Sequence, residues 1–191
     1  MAYTIEYLPA ERWKGTGVPL EYTTECYYDV ALSRTATGYD IPIVRRRFDA
    51  PVTHTQAEWG YPDCLYQPWW EKAEAYGIVE GDALLAVIEV CPEEWSKRMM
   101  VTELWIAPEL RGQGWGRKLM ELAQRRTVEA GCRALILETQ SCNVNAVEFY
   151  RHMGFELIGF DTCCYTNRDV ERREVRFNMG WFPDADAGKA E

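Results

Sequence analysis

The sequence predicts an α+β (α/β) fold, and three features of its second half carry that expectation. A hairpin-type turn, Glu80-Gly81-Asp82, joins two strand-like runs, Ala75 to Val79 and Ala83 to Cys91. A further strand-like run, Lys97 to Ala107, leads through a glycine-rich loop into a helix from about Gly114 to Ala130. Ala134 to Glu138 is a continuous apolar run of the kind found in a strand covered on both faces.

The remaining elements follow in order. Residues 3–8 alternate as a first strand closed by Pro9. The spacing of Tyr22, Cys26 and Val30, with Tyr27 beside them, suggests a helix over Tyr22 to Ser33. Pro42, Pro51, Pro62 and Pro68 then punctuate a Trp- and Tyr-rich stretch that reads as no regular element. In the 114–130 helix, Trp115, Leu119, Leu122 and Ala123 recur at helical spacing and Gly131 supplies a stop. Asn143 is a good N-cap for a second helix running to about Met153, ended by Gly154. Phe155 to Cys164 and Glu174 to Trp181 close the series as strands, and Pro183 to Glu191 forms a flexible tail.

Thirty acidic residues against 21 basic ones give a formal net charge of −9. That balance argues against nucleic acid and anionic membranes as partners and favours cations, amines included. No apolar run approaches the roughly 18–20 residues that span a bilayer. The N-terminus has neither a basic n-region nor an apolar h-region. The seven cysteines contain no CxxC pair, and no His or Cys stands at metal-site spacing. We expect reduced thiols, no metal and a cytoplasmic protein. If 155–164 is a strand, Cys163 and Cys164 point to opposite faces, which disfavours a bridge between them.

The central object is the loop Arg111-Gly112-Gln113-Gly114-Trp115-Gly116 between a strand and a helix. Such loops hold phosphate because the first N–H groups of a helix lack partners and sit at the positive end of its dipole. Glycines let the backbone turn and approach the ligand. Arg111 and Arg117 add positive charge. The loop lacks GK[ST], and its spacing is GxGxG rather than GxGxxG, which sets aside a nucleotide P-loop and a dinucleotide fold. Taken alone, it could equally be a tight turn that starts a helix.

Its surroundings say more. The stretch ELWIAPELRGQGWG, 103–116, resembles the acetyl-CoA signature of the GNAT superfamily, with Arg111, Gly114 and Gly116 in the defining places. LETQSCNVNAVEFYRHMGF, 137–155, resembles the second GNAT signature, in which an Asn opens a helix and an aromatic-Tyr pair precedes Gly-Phe. The wording LETQ…NVNA…FY…GF, followed by FDTCCY, is most similar to streptothricin acetyltransferases. The matching blocks cover about 98–182.

The resemblance implies the GNAT fold, a mixed, mostly antiparallel central sheet splayed between two parallel strands and flanked by helices. The gap would lie between 99–107 and 134–139. It implies one domain over 1–182, with an acceptor-side part at 1–76 and an acetyl-CoA-binding part at 77–182. Backbone N–H groups from Gln113 through Arg117, within the set Arg111, Gly112, Gln113, Gly114, Trp115, Gly116 and Arg117, would grip the pyrophosphate. Trp105, Ile106 and Ala107 would pair with the pantetheine arm, and Asn143 would add an amide contact. Homodimers are common in the family, and Trp181 and Phe182 could supply a contact.

Acetyl transfer to an amine needs a neutral nucleophile, a polarised thioester carbonyl and a proton for the departing thiolate. An alkyl amine has a pKa near ~10.4, so a carboxylate must take its proton. Glu103, on the strand expected to carry the acetyl end, is the candidate base. Tyr150 is the candidate acid for the thiolate, and the backbone amide near Ile106 or Ala107 would polarise the carbonyl. Cys142, Cys163 and Cys164 have no evident His partner, and His54 and His152 read as incidental. The expected acceptor is a small cationic amine of streptothricin type. Glu89, Glu103, Glu138 and Asp161 could attract it, although strand alternation keeps all four from one face. The Tyr and Trp residues of 59–76 could line its site, though packing explains most of them. Alternatives are a protein N-terminal or lysine acetyltransferase, and a non-catalytic acyl-CoA sensor or interaction module.

Overall fold

The computed structural model describes residues 3–56 and 63–183. Its elements are β1 (Glu6–Leu8), α1 (Ala10–Trp13), β2 (Glu21–Val30), β3 (Ser33–Arg34), β4 (Tyr39–Asp40), β5 (Ile43–Thr55), β6 (Glu74–Glu80), β7 (Ala83–Glu93), β8 (Arg98–Ile106), α2 (Trp115–Glu129), β9 (Ala134–Gln140), α3 (Val144–His152), β10 (Glu156–Asp161), α4 (Asp169–Arg172) and β11 (Arg176–Trp181). Trp59 and Tyr61, and the tail from Asp184 on, lie outside the described residues. Two compact units result. The first takes the residues up to Leu20, those from Gln56 to Leu137 and those from Trp181 on; the second takes Glu21 to Thr55 and Glu138 to Gly180.

In the first unit the strands run β1-β6-β7-β8-β9. All neighbours are antiparallel except β8 and β9, which are parallel. The β6–β7 hairpin closes where expected, Glu80 pairing with Ala83 around Gly81 at φ 64°. Gly77 of β6 is required by packing. A Cβ there would stand 2.3 Å from the Ala86 carbonyl oxygen and 2.9 Å from Leu8 Cδ1. The core gathers Leu8, Trp13, Val18, Leu65, Tyr66, Ala75 and Val87. Helix α2 buries Leu119, Met120, Ala123 and Thr127, while Trp115 and Leu122 of the predicted stripe are half-buried.

Strand β8 carries the feature that matters most. Its register against β7 shifts between Glu89↔Glu103 and Val90↔Val101, so Thr102 is an extra, bulged residue. Bulges bend a strand and increase its twist. Pairing of β8 with β9 covers only Arg98↔Ala134, Met99↔Leu135 and Met100↔Ile136. It stops just before the bulge. From Val101 to Ile106 the edge of β8 away from β7 has no strand partner among the described residues. This is the splayed parallel pair that the resemblance implied.

In the second unit β2 and β5 form a long antiparallel ribbon, and β11 lies between β9 and β10. The helix expected over Tyr22 to Ser33 is instead β2. Residues spaced by four share a face of a strand as well as of a helix, so Tyr22, Cys26 and Val30 fit both periods. The β-favouring Thr23, Thr24, Tyr27 and Tyr28 decide for the strand. The proline-punctuated stretch likewise contains β5, which runs through Pro51 next to the point where its register against β2 shifts. Asn143 caps α3 as predicted, its Oδ1 accepting the Ala146 N–H at 3.3 Å. Strand β10 stops at Asp161, so Cys163 and Cys164 lie in the bend that follows and the strand argument does not apply to them.

Candidate active site

In the first unit, β8 ends at Ile106 and a 3-10 turn, Pro108–Leu110, leads into the glycine loop. Gly112 and Gly114 adopt φ 72° and 83°, the left-handed conformation that favours glycine. A Cβ on either would meet no atom within 4 Å, so backbone conformation and not crowding selects glycine. Gly114 is the N-cap of α2, whose first intrahelical bond runs from Lys118 N–H to the Gly114 carbonyl at 3.1 Å. The amides of Trp115, Gly116 and Arg117 are thus the first-turn donors that a helix cannot pair internally.

The loop's side chains hold its shape. Arg111 Nε donates to the Ile106 carbonyl at 3.0 Å, and Gln113 Nε2 donates to the Glu109 carbonyl at 2.6 Å. Arg117 is paired with Glu121 at 2.8 Å, and Lys118 Nζ sits 3.9 Å from the Trp115 ring centre. An anion at this helix start meets open donors and nearby cations, which is what a pyrophosphate requires.

Glu103 lies on β8 directly across from Glu89 on β7. Both are buried, at 8% and 0% exposure. Glu89 accepts two hydrogen bonds, from the Tyr66 N–H and the Thr102 hydroxyl, each at 2.7 Å. Burial raises its pKa while those bonds pull it back. Burial raises Asp63 as well. Burial lifts the Cys64 thiol, with the charges of Glu103, Glu89 and Asp63 adding to the rise. Beyond Glu103, Trp105 and Ile106 are half-buried, and Ala107 is buried with its N–H bonded to the Leu85 carbonyl at 2.8 Å.

The second unit holds Asn143 and Tyr150 on one helix. The cap uses the Asn143 Oδ1; its Nδ2 is the amide donor expected to meet the cofactor. Tyr150 is buried between Phe149 and Phe155, with ring centres 5.5 and 5.9 Å away. Glu138 is ion-paired with Arg176, and Asp161 accepts the Cys163 N–H at 2.9 Å. His152 is bonded to its own helix through the Glu148 carbonyl at 2.6 Å.

His54 is more than incidental to the fold. It is buried, stacks on Tyr22 at 5.1 Å, and places Nδ1 3.6 Å from Glu174 Oε1. The Tyr22 hydroxyl donates to Gln140 Oε1 and lies 3.3 Å from the Cys142 sulfur. Sequence reasoning missed this buried polar cluster because it put Tyr22 on a helix; the β2–β5 register, Tyr22↔His54, is what joins them. Among the described aromatics of the stretch, Tyr66, Trp70 and Tyr76 pack, while Trp69 is exposed. Tyr66 donates to the Leu8 carbonyl and accepts the Ala75 N–H at 3.1 Å, and Trp70 covers Met100, Ala134 and Ile136. Among the described residues there is no group of His, Cys, Asp and Glu fit to hold a metal, and no helix is long and apolar enough to cross a membrane.

A strand opened along one edge, leading through a glycine loop to a helix start, belongs to enzymes that lay an acyl-CoA along a sheet. Known proteins agree. The Acetyltransferase (GNAT) family profile matches residues 44–155. A streptothricin acetyltransferase of Streptomyces lavendulae is 36% identical over 153 residues, 78% of each chain. A solved nourseothricin acetyltransferase superposes with a TM-score of 0.71 at 27% identity, over 95% of this chain and 99% of that one. A Bacillus anthracis str. Ames protein solved in complex with acetyl coenzyme A gives 0.70 at 19% identity, over 96% and 99%, and shows the shared fold. The chain belongs to the GNAT family, and it is an acetyl-CoA-dependent acetyltransferase.

Proposed function

We propose that this enzyme transfers the acetyl group to a primary amine of a small cationic acceptor of the streptothricin class, directly and without an acetyl-enzyme. The observation that carries the acceptor class is the 36% identity to a streptothricin acetyltransferase over 78% of both chains. Acetylating such an antibiotic would make a host that expresses the chain less sensitive to it. The net charge of −9 suits a cationic acceptor.

The bound cofactor supplies an activated thioester; the chain supplies the rest. The amides of Gln113 through Arg117 hold the pyrophosphate, with Arg111 and Arg117 as the nearby charges. The open edge of β8 pairs with the amide-bearing arm as an added strand would. Successive strand amides point to opposite edges. Because Ala107 N–H is turned toward β7, to the Leu85 carbonyl, the amide of Ile106 is the one aimed at the open edge. It is the donor that polarises the thioester carbonyl. Glu103 accepts the ammonium proton, freeing the nitrogen lone pair for attack. Tyr150 donates to the thiolate as the carbon–sulfur bond breaks, and the second proton of the acylated nitrogen, passed through water, restores its phenol.

Release of coenzyme A thiol from acetyl-CoA, measured across a panel of amines, tests the reading. Turnover with streptothricin and none with lysine-bearing or N-terminal peptides is expected. Peptide turnover would make the enzyme a protein acetyltransferase. Cofactor binding with no turnover on any amine would make it a sensor.

A further inference from the structure

We propose that Glu89 is a positioning residue for Glu103: its buried carboxylate, fixed directly across the β7–β8 ladder, makes Glu103 a stronger base. The proposal rests on the assignment of Glu103 as the base and deepens it.

Three observations converge. First, Glu89 and Glu103 are register partners, and directly opposed residues in an antiparallel pair project to the same face with Cβ atoms about 4.5–5.5 Å apart. Like charges opposite one another destabilise a sheet, so the pair persists against a cost. Second, the bulge at Thr102 brings an extra side chain to that face. Its hydroxyl donates to Glu89 Oε1, while Tyr66 N–H, from the preceding loop, donates to Oε2. Both oxygens of Glu89 are therefore held by donors, which opposes the rise that burial gives its pKa and fixes where the charge sits when it is ionised. Third, the charges of Glu103 and Glu89 both act on the Cys64 thiol, in keeping with their shared register.

Around this pair stand Asp63, Cys64 and Tyr66 from the 63–66 loop, Thr102 on β8, and Cys91 on β7, whose thiol also feels Glu89. Asp63, whose charge also acts on the Cys64 thiol, adds a third acidic group. A negative charge fixed next to Glu103 raises its affinity for a proton. For two carboxylates about 5–10 Å apart at an effective dielectric of about 20, the coupling is worth about 1–2 pH units. The sign follows directly. A base of higher pKa takes the ammonium proton more readily, and its acid limb falls at higher pH. The two carboxylates titrate as a pair.

The test is the pH dependence of kcat at saturating acetyl-CoA and one fixed acceptor, for the wild type, Glu89→Gln, Glu89→Asp and Glu103→Gln. Glutamine can keep both contacts, its Oε1 accepting from Tyr66 N–H while the Thr102 hydroxyl turns to accept from Nε2. Glu89→Gln should fold, move the acid limb down by about one pH unit, and lower the plateau, with the KM for acetyl-CoA unchanged. Glu89→Asp, which keeps the charge, should hold the limb near its wild-type position. A limb that stays in place in Glu89→Gln while Glu103→Gln is inactive overturns the role of Glu89 and leaves the base assignment standing. A fully active Glu103→Gln overturns that assignment and the proposal with it. If Glu89→Gln fails to fold, Thr102→Val, which removes one of the two donors that hold the charge, must still shift the limb; an unchanged limb there counts against the proposal.

Discussion

Gly77 and Glu89 belong to neighbouring strands and were unequally visible. A glycine inside a strand pattern hints at a close backbone approach, but only the register shows that the Ala86 carbonyl would collide with a Cβ. Gly77→Ala should cost about 1–3 kcal/mol by overpacking, read as a lowered denaturation midpoint with an unchanged slope. Glu89 could be suspected as an acidic residue near the sheet centre, but its pairing depends on the bulge at Thr102, and nothing in the local sequence marks where a ladder slips. Tyr150 is singled out by its motif alone, and its ring packs between Phe149 and Phe155. Tyr150→Phe keeps that packing. It should lower kcat by roughly 10²-fold while the acetyl-CoA Kd, from calorimetry, stays put. An unchanged kcat would remove the general-acid role.

At the scale of elements, legibility tracked how local the signal was. The β6–β7 hairpin, the loop before α2 and the Asn143 cap are each written in a few adjacent residues, and all three stand where expected. Strand β2 was not legible because a four-residue spacing is common to both periods, and only its long-range partner β5 resolves it. Asn143 caps α3 through its oxygen, and we propose a cofactor contact through its amide. The two separate by substitution. Asn143→Asp keeps a cap of equal quality and loses the amide donor, so its Tm should match the wild type while acetyl-CoA affinity falls. Asn143→Ala should lose both, with about 1 kcal/mol of stability. If Asn143→Asp binds acetyl-CoA as well as the wild type, the amide makes no contact with it. Gly114→Ala offers a companion test on the other signature. At φ 83° it should strain the loop by about 1–2 kcal/mol and weaken the cofactor by about tenfold.

At the scale of the whole molecule, the sequence does not show that Glu21 to Thr55 joins Glu138 to Gly180 in one unit, because such pairings leave no local trace. Net charge, by contrast, is fully legible, and it makes a prediction that depends on no single residue. With −9 overall, the enzyme should draw a multiply charged cationic acceptor toward it and repel the anionic cofactor. The Debye length shortens from about 30 Å at 0.01 M to about 8 Å at 0.15 M salt, so the long-range part of both effects should fade across that range. The kcat/KM for a trivalent amine should fall severalfold over this span, and that for a monovalent amine should fall less. The kcat/KM for acetyl-CoA should hold steady or rise, since screening relieves repulsion and the proposed pyrophosphate contacts to the loop amides are short-range. Steady-state rates with the two amines, taken in matched buffers, separate these outcomes. Equal salt dependence for both amines would mean that the acceptor is recognised by contact alone, and the acidic balance of the chain would then have no part in substrate capture.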